Sequence, residues 1–190
     1  MTTDFIYGDH ISDLTIDNLL EFWDNCTYLK KVNGEFSDGV DPTIKKSVDM
    51  AIPPFLNDKA VRIFLGELQT VLDKYLERFP YACMAPVELN EPFNIQWYPA
   101  NTGGYHRPHC ERIGSGKTAS YRHLAWMTYL NTINEGGETY WIHQDRKIKP
   151  EKGLTVFWPA DWTHVHRSYV TRRENNRYRM DLLRINKNGG

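Results

Sequence analysis

Residues 81–105 read YACMAPVELNEPFNIQWYPANTGGY, and across them the chain changes texture. Upstream, the apolar residues Val61, Phe64, Leu65, Leu68, Val71, Leu72, Tyr75, Leu76 and Phe79 recur at three and four. That is the period of one helix face, and Asn57 or Asp58 stands where a cap belongs. A shorter stripe, Leu19, Leu20, Trp23 and Cys26, predicts a second helix from about Thr15 to Tyr28. The polar stretch from Asn33 to Ser47, with Gly34, Gly39 and Pro42, reads as a loop. After Pro80 come short aromatic and β-branched runs separated by Gly, Pro and Asn. They predict strands at Phe93 to Tyr98, His123 to Leu130, Glu138 to Ile142, Leu154 to Trp158 and Arg177 to Ile185. Helices followed by strands, without βαβ alternation, indicate an α+β chain whose sheets form a sandwich or barrel with helices outside, and a jelly roll fits best. The helical part, about 1–85, is expected to pack on one side of the barrel rather than stand as a separate domain. Its apolar face would otherwise meet water.

A chain of 190 residues with 41% hydrophobic content supports one domain, 1–190, with a sizeable core. The net charge of -1 advertises neither nucleic acid nor an anionic membrane as partner. The opening MTTDFIYGDH lacks a basic start with an apolar run, and no stretch approaches the roughly 18 apolar residues that cross a bilayer, so a cytoplasmic protein is expected. Cys26, Cys83 and Cys110 are odd in number and widely spaced, which argues for reduced thiols rather than a disulfide scaffold or a zinc knot. Oligomeric state is not legible.

The chemistry concentrates in GGYHRPHCERIG, residues 103–114. On an extended strand alternate side chains share a face, so His109 and Glu111 project together and Cys110 points away. One imidazole and one carboxylate can then grip one metal ion. FWPADWTHVHRSYV, residues 157–170, offers His164 and His166 for a third ligand. Two His and one carboxylate on one face of a metal leave positions open, the facial arrangement of non-haem Fe(II) oxygenases.

The ordered segments PHCE (108–111), TYLN (128–131), EGGET (135–139), KPEKGLTVFWP (149–159), HRS (166–168) and RY (177–178) resemble the prolyl-4-hydroxylase branch of the Fe(II)- and 2-oxoglutarate-dependent dioxygenases. The resemblance covers roughly Pro92 to Ile185. It implies a double-stranded β-helix, the cupin-like jelly roll, as catalytic core over about 92–186. The implied activity is hydroxylation of a substrate carbon, a prolyl residue of a peptide first and a small metabolite next, with release of succinate and CO2. The implied cofactors are Fe(II), 2-oxoglutarate and O2, with ascorbate in support. His109 and Glu111 match the first two ligands, Glu111 standing where Asp is commoner. His166, in HRS, matches the distal ligand; His164, on the same face of a regular strand, is the alternative and otherwise supports the site from behind.

Arg177 matches the cation that holds the far carboxylate of 2-oxoglutarate, which a guanidinium can do with two parallel hydrogen bonds. Tyr129 and Tyr98 match aromatic positions whose hydroxyls donate into that pocket, and Tyr105 matches a third more loosely, because the TGGY loop carries an extra residue. Tyr98 shares a strand face with Gln96 and Asn94, consistent with a polar interior there. Asp181 shares a face with Arg177 and is placed to pair with it, and Arg122 falls where the family places a residue near the substrate. Trp126, Trp141, Trp158 and Trp162 receive no role. Two other readings share the His/Glu site: a non-catalytic cupin-like module binding a metal or small ligand, and a metal-dependent hydrolase or isomerase.

Overall fold

The structure, a computed structural model, describes residues 3–35, 39–84, 87–112, 119–170, 177–181 and 185–187. In chain order the elements are β1 (Tyr7–His10), α1 (Asp13–Asn25), β2 (Lys31–Asn33), β3 (Lys45–Lys46), β4 (Val48–Ile52), α2 (Lys59–Arg78), β5 (Val87–Leu89), β6 (Phe93–Tyr98), β7 (Gly104–Tyr105), β8 (Arg122–Tyr129), β9 (Thr139–Trp141), β10 (Arg146–Ile148), β11 (Leu154–Pro159), β12 (His166–Ser168), β13 (Arg177–Asp181) and β14 (Ile185–Lys187).

α2 starts where Asp58 accepts from the backbone N–H groups of Ala60 and Val61, at 2.8 and 3.3 Å. It ends before Pro80, which cannot continue it. α1 is capped by Ser12, and Glu67 of α2 accepts from Ser12 N, Ser12 Oγ and Thr15 Oγ1, each at 2.7 Å. One carboxylate thus ties the start of α1 to the middle of α2. Replacing Asp58 by Ala is expected to cost about 1 kcal/mol, seen as a lower denaturant midpoint with unchanged slope.

The main sheet is antiparallel in the order β1-β11-β8-β13-β6-β4-β2, with β14 pairing β5 and β8. A second sheet runs β10-β9-β12, and β3 pairs β7. β8 is buried on both faces because alternation sends its side chains to two different cores. Leu124 and Trp126 join the cluster under both helices, where Trp126 meets Phe64 at 5.4 Å and Phe157 of β11 meets Tyr75 at 5.8 Å. Ala125, Met127 and Tyr129 point the other way, to a cluster shared with Val156, Trp158 and Trp141 of the second sheet.

Each of the five expected strand regions contains a strand, the last holding β13 and the start of β14 with residues 182–184 outside the described residues, and both helices form, α1 stopping at Asn25. The upstream part is less helical than its periodicity predicts. β1, β2 and β4 join the main sheet, and the expected loop contributes β3. These two- to five-residue strands carry no usable alternation; partners on the sheet edge, supplied by distant sequence, make them strands. The molecule is therefore mostly β-sheet with two α-helices.

Candidate metal centre

His109 and Glu111 stand on the chain leaving β7, and His166 opens β12. The two His-bearing stretches are joined by a reciprocal backbone pair, His109 N to His166 O at 3.0 Å and His166 N to His109 O at 2.9 Å. The adjoining amides of Glu111 and Arg112 both donate to Ala160 O. These bonds place the two imidazoles and the carboxylate together although 57 positions of sequence separate His109 from His166.

One ligand atom from each of His109, Glu111 and His166 lies within 4.8 Å of the others. Nε2 of His109 and Nε2 of His166 are each 3.6 Å from the same oxygen, Oε1 of Glu111. That is too long for a hydrogen bond. Nδ1 of His109 donates to Arg107 O and Nδ1 of His166 to His164 O, both at 3.0 Å. A carbonyl only accepts, so each Nδ1 carries a proton, which leaves Nε2 of each ring, facing the carboxylate oxygen, as the atom available to a metal. Converging electron pairs of this kind suit a cation at their centre. With bonds of about 2.1 Å, neighbouring donors around an octahedral ion stand about 3.0 Å apart, so each imidazole would have to close on the carboxylate oxygen by about 0.6 Å.

His164 takes no part in this cluster. Its Nδ1 meets Thr163 Oγ1 at 2.9 Å and its Nε2 meets Asp4 O at 2.8 Å, pinning the N-terminal segment. Burial pushes its imidazole below the ordinary value. Cys110 is buried with Sγ 3.5 Å from Arg112 O, and burial followed by the Glu111 charge pushes its thiol up.

Aromatic rings wall the cluster. Tyr105 stacks on His109 with ring centres 3.6 Å apart, and Trp158 presents an edge to His166 at 5.2 Å. Trp141, paired in register with His166, lies 5.9 Å from it; its buried indole N–H has no hydrogen-bond partner among the described residues. Sequence reasoning gave Trp141 and Trp158 no role, because an aromatic in a strand reads equally well as core. Gly136 and Gly137, both at positive φ of 77° and 74°, turn the chain into β9, which explains the paired glycines of EGGET.

Tyr98 and Tyr129 are fully buried in the interior. The Tyr98 hydroxyl donates to Gln96 Oε1 at 2.8 Å and that of Tyr129 to Thr139 Oγ1 at 2.8 Å. Arg122 is buried too. Its guanidinium donates to both Glu91 oxygens, at 3.5 and 3.2 Å, and to the carbonyl of Glu111 at 2.6 Å. In this arrangement it braces the backbone of Glu111. Arg177 is paired in register with Tyr98, and Asp181 with Asn94 and Met127; their side chains lie outside the described residues.

Residues 93–182 match the model of the 2OG-Fe(II) oxygenase superfamily. No curated protein matches the chain. Among solved structures, the viral collagen prolyl hydroxylase of Paramecium Bursaria Chlorella virus-1 in its 2OG complex aligns over 93% of this chain and 93% of its own, with TM-score 0.67 and 16% identity. A Pseudomonas putida prolyl-4-hydroxylase aligns over 98% and 95%, with TM-score 0.68 and 15% identity. A Trichoplax adhaerens prolyl hydroxylase, in complex with a peptide fragment of the hypoxia inducible factor oxygen degradation domain, aligns over 94% and 82%, with TM-score 0.69 and 16% identity. At such identities the likeness is one of fold. The matched segment spans both His-bearing stretches; residues 93–182 thus correspond to a 2OG-Fe(II) oxygenase domain, whose chemistry uses Fe(II), 2-oxoglutarate and O2, and the chain has the fold of the prolyl hydroxylases.

Proposed function

We propose that His109, Glu111 and His166 hold Fe(II), that Arg177 with Tyr129, Tyr98 and Tyr105 seats 2-oxoglutarate, and that the substrate is a prolyl residue of a peptide. The observation that carries the metal assignment is the convergence of two Nε2 atoms on one Glu111 oxygen, with both Nδ1 protons anchored to backbone carbonyls. When bound, the metal, 2-oxoglutarate and O2 supply the oxidative decarboxylation that ends in succinate, CO2 and a hydroxylated carbon. The protein contributes a rigid ligand set and an aromatic wall that keeps water from the reacting atoms. Arg122 supports Glu111 from behind and Arg177 supplies the fixed cation for the far carboxylate. The oxygenase reading, rather than a non-catalytic cupin-like binder or a metal-dependent hydrolase, is the one the family match supports.

The two sheets facing each other across Trp141, Trp158 and Met127 support reading the core as a double-stranded β-helix in a single domain, 1–190, with the helices as outer support. Among the described residues no helix is long and apolar enough to cross a membrane, and the proposed setting is the cytoplasm. The peptide in the Trichoplax complex supports a peptide substrate.

The direct test is conversion of 2-oxoglutarate to succinate by purified protein with Fe(II) and ascorbate, with and without proline-containing peptides. No succinate in any combination would overturn the proposal. Arg177→Ala is expected to weaken 2-oxoglutarate binding by about 1.5–3 kcal/mol, with metal affinity unchanged. Unaltered co-substrate affinity would move the role to Arg179.

A further inference from the structure

The stretch expected to be a loop delivers Lys45 to a buried ion pair with Asp49 of β4. Lys45 Nζ lies 2.5 Å from Asp49 Oδ2, with both side chains less than a tenth exposed. Asp49 also accepts from Ser47 Oγ at 2.7 Å and from Gln96 Nε2 at 2.9 Å. Gly34 closes the cluster, because a Cβ there would stand 2.0 Å from Ser47 Oγ. Taking an ammonium and a carboxylate out of water costs several kcal/mol per ion, and apolar residues would fill such a space at least as stably. The ion pair therefore calls for an explanation other than stability.

Its effect falls on Tyr98. A carboxylate only accepts, so Gln96 must turn its NH2 to Asp49 and its carbonyl oxygen away from it. That oxygen is 2.8 Å from the Tyr98 hydroxyl and it, too, only accepts, so the phenolic proton points at Gln96. A tyrosine has one such proton. Tyr98 is left with lone pairs for its other neighbours, and a carboxylate of 2-oxoglutarate cannot use lone pairs. The same ammonium stands 5.8 Å over the ring of Tyr105, which stacks on His109, so the ion pair adjoins the metal centre as well.

We propose that Gln96 is a positioning residue, oriented by the Lys45–Asp49 pair, which withholds the Tyr98 proton from the co-substrate pocket and so holds 2-oxoglutarate affinity below what the pocket could reach. The inference rests on the reading that Tyr98 lines that pocket. It makes an unusual demand, since deleting a buried polar group should strengthen binding.

The test is calorimetric titration of 2-oxoglutarate into protein loaded with Mn(II) in place of Fe(II), which separates binding from turnover. Gln96→Met keeps the volume and removes the acceptor. It is expected to bind 2-oxoglutarate about five- to tenfold more tightly than the wild type. Tyr98→Phe should cost at least about fivefold more in that background than in the wild type, the coupling expected if the freed proton makes the new bond. A double variant, Lys45→Met with Asp49→Asn, asks the same question should Gln96→Met not fold. Without the carboxylate the Gln96 amide can turn over, and binding should tighten with the same dependence on Tyr98. Equal losses on Tyr98→Phe in both backgrounds would show that Tyr98 already donates to the co-substrate and would overturn the inference. A wild type that binds Mn(II) but not 2-oxoglutarate would instead overturn the co-substrate site itself.

Discussion

Replacing His166 by Ala is expected to abolish metal binding and turnover together while the protein stays folded. Its Nε2 is one of two imidazole nitrogens 3.6 Å from Glu111 Oε1, and no His besides His109 and His166 belongs to that cluster among the described residues. Loss of a partner one step removed from a metal typically costs 10- to 100-fold in affinity, so loss of a direct ligand should exceed about 100-fold. Folding should survive because the interior around His166 is closed by Trp141, Trp158, Val156 and Met127, whose packing does not depend on an ion. Metal titration followed by a thermal melt measures both effects. His164→Ala is the matched control: it should keep metal affinity within about a factor of two and lose the bond to Asp4 O that fixes the N-terminal segment. Wild-type metal affinity in the His166 variant, or its loss in the His164 variant, would reverse the assignment.

The second large effect is expected at Glu91, which is not a member of the metal cluster and stands in no quoted motif. Truncation to Ala leaves the Arg122 guanidinium buried with its charge uncompensated, and breaking such a pair costs about 3–5 kcal/mol. Arg122 also donates to the carbonyl of Glu111 at 2.6 Å, so metal affinity should fall along with stability. Removing both charges, Glu91→Leu with Arg122→Met, should recover most of the stability, because two apolar residues then fill a buried site. It should not recover metal affinity, because the bond from Arg122 to the Glu111 carbonyl is lost. Chemical denaturation beside metal titration separates the two outcomes, and a loss below about 1 kcal/mol in the single variant would show that the pair is hydrated rather than buried.

Sequence alone was enough for those parts whose physics is local. The three-and-four spacing from Val61 makes α2 amphipathic wherever it sits, and Asp58 caps it through its own neighbours. The two-residue spacing likewise put His109 and Glu111 together, although the expected strand through them is not there: His109 makes an isolated bridge to His166 and the chain bends at Glu111. Alternation was a poor guide to the distal histidine. A regular strand through His164 and His166 would show both to the same side, but residues Trp162–His164 form a 3-10 turn that ends before β12, and the two imidazoles have different partners. The short strands β1 to β4 were illegible for a related reason: with two to five residues each, they are extended only because another strand offers them hydrogen bonds. Lys45, Asp49 and Glu91 show the same limit in charge. Read in sequence they are solvated polar residues; they become buried pairs because folding brings Lys45 and Gln96 against Asp49, and Arg122 against Glu91, across 31 to 47 positions in the long-range cases. What tertiary structure alone decided was which polar groups lose their water, for that depends on which distant segments close over them, and periodicity carries no record of it.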